Sequence, residues 1–376
     1  MPGRELQHRL YKNDGKGNFN IDTQAFPNND MNISVAIAND FDGDGFQDLF
    51  VGSRSVPFSY GVTPKNYLYK NDGHGHFTDV TQAMNPEIAN IGMVTDAVWA
   101  DVTGDNKREL IITGEWMAPR IFSYTGNKFV EVKNTNLTNL FGWWQTVTAA
   151  DLNGDGKLDL ILGNIGENFY LKPDSLHPVK MWLNDFDQSG STDQFITKTI
   201  GEKDLPVFLK RDITEQFPAL KKQNLKNSDY AKKSVQELFS KDMIERAQVK
   251  KFNYCSSVVA VNNGNGSFTI QKLPAMVQLS SVNAICVTDI NHDNKPDLVI
   301  GGNKFGFPPQ FGRLDASYGG VLLNNGKGNF EWIEPNRSGL NIIGEIKDIK
   351  EIKGKDKRYI LVVRNDQFPI LYQIKK

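Results

Sequence analysis

One short turn recurs along the chain, each time acidic, each time followed by an apolar strand, and this recurrence restricts the fold more than any other feature. It reads "NDFDGDGFQDLFVGS" at residues 39–53, "DVTGDNKRELIITGE" from Asp101, "DLNGDGKLDLILGN" from Asp151, "DFDQSGSTDQFITK" from Asp185 and "DINHDNKPDLVIGG" from Asp289. A short apolar stretch precedes each one: VAIAN, AVWA, TVTAA, VKMWLN and AICVT. A second turn recurs as "YKNDGKGNF" from Tyr11, "YKNDGHGHF" from Tyr69, "VNNGNGSF" from Val261 and "LNNGKGNF" from Leu323. There Asn, Asp and Gly supply the positive-φ positions of a tight hairpin, and the Phe opens the returning strand.

One unit therefore reads strand, acidic turn, strand, longer loop, strand, Asn-Gly turn, strand. That is a four-stranded antiparallel blade, and its repetition predicts an all-β fold, a β-propeller. Missing crossover helices argue against a parallel α/β sheet, and a two-sheet sandwich would not explain one acidic turn per unit. Acidic turns mark units beginning near residues 35, 95, 145, 179 and 283. A degenerate unit from Gly344 keeps Asp348 but loses the other carboxylates, and residues 4–22 supply the last hairpin of an incomplete first blade. Seven blades is the ring this count points to, in a single domain over residues 1–376. Residues 203–251 break the pattern. "SDYAKKSVQELFS" has Ser228 as an N-cap and an apolar stripe of Tyr230, Val235, Leu238 and Phe239, which predicts a small helical insertion into the fifth blade, between acidic turns four and five.

The carboxylates in each turn repel one another unless a cation joins them. In the first, oxygens stand at positions 1, 3, 5 and 9 (Asp40, Asp42, Asp44, Asp48), with the Phe46 carbonyl at position 7 and Gly45 at the sharp bend. This is the first part of the EF-hand calcium pattern, and hard oxygens without His or Cys select Ca²⁺ over zinc. The other sets are Asp101, Thr103, Asp105, Lys107 and Glu109; Asp151, Asn153, Asp155, Lys157 and Asp159; Asp185, Asp187, Ser189, Ser191 and Asp193; and Asp289, Asn291, Asp293, Lys295 and Asp297. The position-7 residues contribute a carbonyl only. Up to five structural Ca²⁺ sites are expected, with the first turn, richest in carboxylates, the tightest.

The pattern D-x-D-G-D-G-x-x-D before an apolar strand, together with the Asn-Asp-Gly-x-Gly-x-Phe hairpins, resembles the FG-GAP/VCBS repeats of integrin-α-type propellers. "GMVTDAVWADVTGD", "WLNDFDQSGSTDQ" and "PPQFGRLDASYGGVLLNNGKGNF" are similar to secreted bacterial proteins of the ASPIC/UnbV, cartilage-acidic-protein-like group. The resemblance implies an extracellular, periplasmic or cell-surface protein. The start, "MPGRELQHRLYKNDG", has no signal-peptide stretch and enters directly into a repeat, as a truncated N-terminus would.

In a four-stranded blade the acidic turns and Asn-Gly hairpins share one rim, so the longer loops crowd the other. These loops carry the candidate ligand-binding residues Arg54, Trp116, Trp143, Trp144, Arg313, Asp315 and Tyr318. Convergent loops on a rigid scaffold are where binding normally lives. With 43 basic against 44 acidic residues there is no nucleic-acid footprint, and no apolar run reaches the roughly 20 residues of a membrane helix. Nucleophile-elbow, zinc-protease and P-loop motifs are missing, and no catalytic residue can be named. The leading expectation is a binding or adhesion module for a glycan or extracellular protein; the alternative is a carbohydrate-active enzyme, a glycosidase or lyase, on the same scaffold. An Asp/Glu pair or a Lys/Arg cluster at the loop-rim centre would favour the enzyme. Cys255 and Cys286 read as two buried thiols.

Overall fold

The computed structural model describes residues 6–307 and 311–375; the Pro308–Gln310 part of the "PPQFGRLDASYGG" stretch lies outside them. Seven sheets form among these residues. Five are radial blades. Blade 1 is built from Asn32–Asn39, Asp48–Ser55, Tyr67–Asn71 and Phe77–Asp79, blade 2 from Met93–Ala100, Glu109–Met117, Arg120–Thr125 and Lys128–Glu131. Blade 3 comprises Thr146–Ala150, Asp159–Gly163, Val258–Gly264 and Ser267–Lys272, and blade 4 Val282–Thr288, Asp297–Gly302, Gly320–Asn324 and Phe330–Ile333. Blade 5 has three strands, Ile346–Lys353, Arg358–Arg364 and Gln367–Ile374.

The sequence explains the stacking. Second strands lie between two neighbouring blades, so they are apolar on both faces, and Glu109–Met117, Asp159–Gly163 and Asp297–Gly302 are buried throughout. Because side chains alternate along a strand, Leu110 and Ile112 pack toward blade 1 with Phe50 and Leu68, while Ile111 packs toward blade 3 with Leu160 and Leu162. Ile161 and Val259 meet Leu298 and Leu322 of blade 4, and Val299 and Val321 meet Ile349 and Val362 of blade 5. Each such side chain contributes about 1.5–3 kcal/mol when fully buried. Each blade thus depends on its neighbours for its core.

The expected count of seven blades becomes five, because two of the seven sheets are not radial. The hairpin Leu10–Asn13 and Phe19–Asp22 forms a two-stranded sheet of its own. His8, Phe26 and Met31, which flank it, cover Val51, Tyr67 and Tyr69 on the outward face of blade 1. The second exception concerns the fourth acidic turn. Strand 258–264 pairs with strand 159–163, so everything between them is an excursion from the middle of blade 3. Within it Lys203–Pro206, Asp193–Ile200, Val179–Asn184 and Gln248–Phe252 form a separate sheet in that order. The unit expected near residue 179 is therefore not a blade of the ring. Counting turns could not reveal this, since a hairpin with an acidic turn forms equally well outside the ring. Helices Lys210–Gln216, Pro218–Gln223, Asn227–Tyr230, Val235–Leu238 and Lys241–Arg246 join two strands of this extra sheet and pack Ile213, Phe217, Tyr230, Val235 and Leu238 on Trp182 and Phe195. They belong to blade 3 in topology, not to the fifth blade. Ser228 lies inside Asn227–Tyr230 and caps nothing; the capping box is made by Ser234 with Glu237. Both cysteines are free thiols, Cys286 buried and Cys255 partly so.

Candidate functional site: the acidic turns and the axial pocket

In every acidic turn the position-1 carboxylate accepts backbone N–H groups of its own loop. Asp40 accepts from Gly43 at 2.8 Å, Asp44 at 3.1 Å and Gly45 at 2.9 Å, and Asp101, Asp151, Asp185 and Asp289 accept from the matching position 6. Position 6 is left-handed throughout, with φ of 90° at Gly45, 63° at Asn106, 82° at Gly156, 86° at Gly190 and 63° at Asn294, which is why only Gly or Asn stands there. Position 9 ties the unit together. Asp48, Asp159 and Asp297 are fully buried; one oxygen accepts from the position-2 amide, the other from the amide of Asn71, Asn262 or Asn324 in the third strand at 2.8–2.9 Å. Glu109 and Asp193 hold the same place, bonded instead by Ser123 Oγ and Gln216 Nε2. The acidic turn and the Asn-Gly hairpin are thereby one hydrogen-bonded unit. At the adjacent hairpin Gly73 is obligatory, since a Cβ would meet the Phe46 ring at 2.5 Å.

Each carboxylate oxygen carries two lone pairs, so these bonds leave acceptor capacity for a cation. Oxygens of Asp40, Asp42 and Asp48 lie within 4.8 Å of one another, as do those of Asp185, Asp187 and Asp193. The remaining turns place Thr103, Asn153 and Asn291 at position 3. An all-oxygen set with a buried carboxylate at its base fits a hard divalent cation of the Ca²⁺ type. Burial, together with the charges of Asp42 and Asp44, pushes the Asp48 carboxyl up to about 6; burial also raises Glu109, Asp159 and Asp297. A positive charge in the loop would relieve all four. Loop one already has one nearby: the Lys70 ammonium pairs with Asp42 and, at 3.1 Å, with Asp44.

At the opposite end of the blades the first strands converge on the propeller axis. Ser34, Thr95, Gln145, Asn283 and Lys347, one from each blade, line a single pocket of about 260 Å³ with Arg54, Lys304 and Glu345. Four of the five sit at a β-bulge, which turns an extra residue out of register toward the axis. Three stitch blade to blade: Ser34 Oγ–H donates to Val94 O at 2.7 Å, Thr95 Oγ1–H to Trp144 O at 2.8 Å, and Asn283 Nδ2–H to Ile346 O at 3.0 Å. The Asn283 Oδ1 atom is buried with no partner.

Beneath this rim lies Glu115, its side chain 1% exposed. Arg54 at 2.7 Å and Lys304 at 2.6 Å share its Oε1, and the Tyr60 hydroxyl donates to Oε2 at 2.8 Å. Burial alone would raise this carboxyl, but Lys304 and Arg54 outweigh it and hold it at about 2. Burial and the Glu115 charge push the Tyr60 phenol well up, and burial lowers the Lys304 ammonium. Lys347 pairs with Glu345 at 2.5 Å and keeps nearly half its side chain exposed. The pocket gathers three cations over two carboxylates.

Of the residues expected to bind a ligand, Arg54 is at this pocket. Trp116 and Trp143 are buried with Phe169, Met181 and Phe252, and Trp144 is fully buried with its indole N–H on Leu140 O. All three indoles are core: residues of the extra sheet, Val179, Met181 and Phe252, pack on Trp116 and Trp143, whereas Trp144 packs with Leu137, Leu162 and Val258 between blades 2 and 3. Arg313 stacks its guanidinium on Phe305, 5.3 Å from the ring centroid, and Asp315 and Tyr318 are exposed. None of these three lines the axial pocket. Sequence reasoning missed Lys304, Lys347 and the polar residues of the inner strands. Their signal was positional: Ser34, Thr95, Gln145 and Asn283 each stand six residues before the first Asp of an acidic turn.

Against known families, the model of the FG-GAP-like repeat matches residues 40–112 and 101–162. Residues 40–162 carry FG-GAP-like repeats. Each matched span runs from one acidic turn into the next blade, so the FG-GAP-like unit straddles the blade interface. The narrower likeness to the ASPIC/UnbV group is not part of that match. A search of curated proteins returns no match. FG-GAP-like repeats on a propeller scaffold suggest a binding module, and no helix among the described residues is long and apolar enough to cross a membrane.

Proposed function

We propose that this FG-GAP-like propeller is a calcium-stabilised binding module of the cell exterior or envelope, whose axial pocket receives a carboxylate-bearing group of a glycan or extracellular protein. The observation that carries this reading is the convergence of Arg54, Lys304 and Lys347, three cations over the two carboxylates of Glu115 and Glu345, on a rim that also offers Ser34, Thr95, Gln145 and Asn283. A carboxylate suits the Arg54 fork and the Lys347 ammonium, and a hydroxyl beside it would satisfy Asn283 Oδ1. Extracellular calcium modules bind at about 10⁻⁴–10⁻³ M, an affinity that keeps such loops loaded only where calcium is abundant.

A screen of uronate-containing against neutral glycans, and of acidic against neutral peptides, with and without calcium, tests it. Acidic ligands should bind, and Lys347→Ala should weaken them without changing the melting temperature. Equal binding of neutral ligands, or indifference to Lys347→Ala, would place the site elsewhere. The same Lys/Arg cluster supports the second reading, a polyuronate lyase in which Arg54 neutralises the carboxylate and the neutral amine of Lys304, whose ammonium burial makes easier to deprotonate, takes the C5 proton as the C4–O bond breaks and water protonates the departing oxygen. Glu115 and Tyr60 are unsuited to that role, one held ionised by its cation pair and the other protonated. Appearance of unsaturated uronate absorbance on incubation with a bound acidic glycan separates enzyme from binder.

A further inference from the structure

The strand Gln248–Phe252 forms one edge of the extra sheet, and its pairing with Val179–Asn184 fixes which way each side chain points. Phe252 stands opposite Val179, Lys250 opposite Met181 and Gln248 opposite Leu183, so these six share a face. It is the face packed on the propeller, where Val179, Met181, Leu183 and Phe252 cluster with Trp116 and Trp143. Lys250 is the one cation in that row. Its ammonium reaches the long loop of blade 1 and donates to Thr63 Oγ1 at 2.8 Å, which uses one of its three N–H groups. It makes no ion pair among the described residues, and burial lowers its pKa with no carboxylate nearby to offset that cost. The next residue, Lys251, lies over the Phe141 ring, 4.1 Å from the centroid, also without an ion pair among the described residues.

Both lysines border a cleft of about 370 Å³ between the loops of blades 1 and 2 and this sheet edge. Its lining includes Trp116 but neither an arginine nor a carboxylate; Lys180 also borders it, its ammonium held by Asp204 at 2.8 Å. We propose that this cleft is a ligand site separate from the axial pocket, and that it takes a tetrahedral oxyanion, the phosphate or sulfate group of a small molecule. Charge decides the sign of the ligand, since a buried ammonium without a counter-charge is costly and an anion supplies one. Donor geometry decides its shape. Ammonium groups are compact charges with rotatable donors, which suit the spread oxygens of phosphate or sulfate, whereas a planar carboxylate is matched by a guanidinium fork. Thr63 accepts from Lys250 and keeps its own hydroxyl proton to donate to the same anion. The volume falls within the range of small-molecule pockets, about 300–1,000 Å³, so the cleft has room for the body that carries the anionic group.

Calorimetric titration of the full chain in calcium with methyl phosphate, methyl sulfate and acetate tests the site, on wild type, Lys250→Met and Lys347→Ala. Methionine keeps the length of the side chain and extends the apolar row, so Lys250→Met should melt no lower than wild type in the absence of anion. At least one of the two esters should bind wild type and Lys347→Ala alike, at least tenfold more tightly than acetate does, and Lys250→Met at least tenfold more weakly. The tighter ester names the group. That ester should also shield Lys250 of the wild type from an amine-acylating reagent, read by mass spectrometry, a measurement that needs no variant. Failure of both esters to bind wild type, binding indifferent to Lys250→Met, acetate binding as tightly, or unshielded acylation of Lys250 would each overturn the proposal. Loss of ester binding in Lys347→Ala would overturn it too, by moving the anion to the axial pocket.

Discussion

Single residues here carry opposite loads depending on whether a cation is present, and Asp48 shows it best. Its carboxyl is raised to about 6, so between roughly pH 4 and 6 the folded state holds a proton that the unfolded state has released. Stability from this group is thus greatest at low pH and falls as pH rises through 6, unless calcium compensates the charge. Asp48→Asn should accordingly raise the melting temperature in chelator at pH 7 and lower it in calcium. A change of the same sign in both buffers would remove loop one from the calcium sites. Trp116 illustrates a different limit of residue-level reading: an indole on a loop looks like a ligand platform, but it is inside. Trp116→Ala should cost about 3–5 kcal/mol in urea melts, whereas Arg313→Ala, on an exposed side chain, should stay within about 0.5 kcal/mol. If instead Trp116→Ala left stability untouched, the packing of the extra sheet against the loops would be wrong.

Among the elements, the N-terminal hairpin is flanked by a buried titratable ring that packs on blade 1. His8 stacks edge-on against Tyr67 and Tyr69, and burial lowers its pKa to about 4. The folded state binds fewer protons than the unfolded one between pH 4 and 6.5, so this contribution is whole above 6.5 and is lost as pH falls toward 4. Hydrogen exchange at residues 10–22 should accelerate over that window while the second strands of blades 2 to 4 stay protected. Equal protection at pH 7 and pH 4.5 would show that Phe26 and Met31 hold the hairpin without His8. Existence and type of most strands were legible in advance, because a buried strand needs its apolar run and a tight turn needs its Asn or Gly. Their grouping was not, since the pairing of 159–163 with 258–264 joins segments nearly a hundred residues apart.

For the whole molecule the proposed calcium sites make one quantity decisive, the number of acidic turns that load together. A ligand that binds only the folded state adds RT ln(1 + [L]/Kd), about 2.7 kcal/mol per site at a hundredfold excess. Up to five sites should therefore raise the melting temperature by many degrees, and the fourth turn, in the extra sheet, should report separately from the blades. A single calcium-independent transition in both chelator and calcium would sink the assignment. What the sequence determined by itself was everything local: the four-strand unit, the acidic turns with their left-handed sixth residue, the Asn-Gly hairpins and the apolar second strands, since each is dictated by φ/ψ and side-chain period within a few residues. Only the tertiary structure decided that five blades stack in succession among the described residues, that one acidic turn lies outside that stack, that three tryptophans are core, and that Arg54, Glu115, Lys304 and Lys347 meet. Those facts depend on which distant strands pair and which faces they bury, and no window of local sequence contains that information.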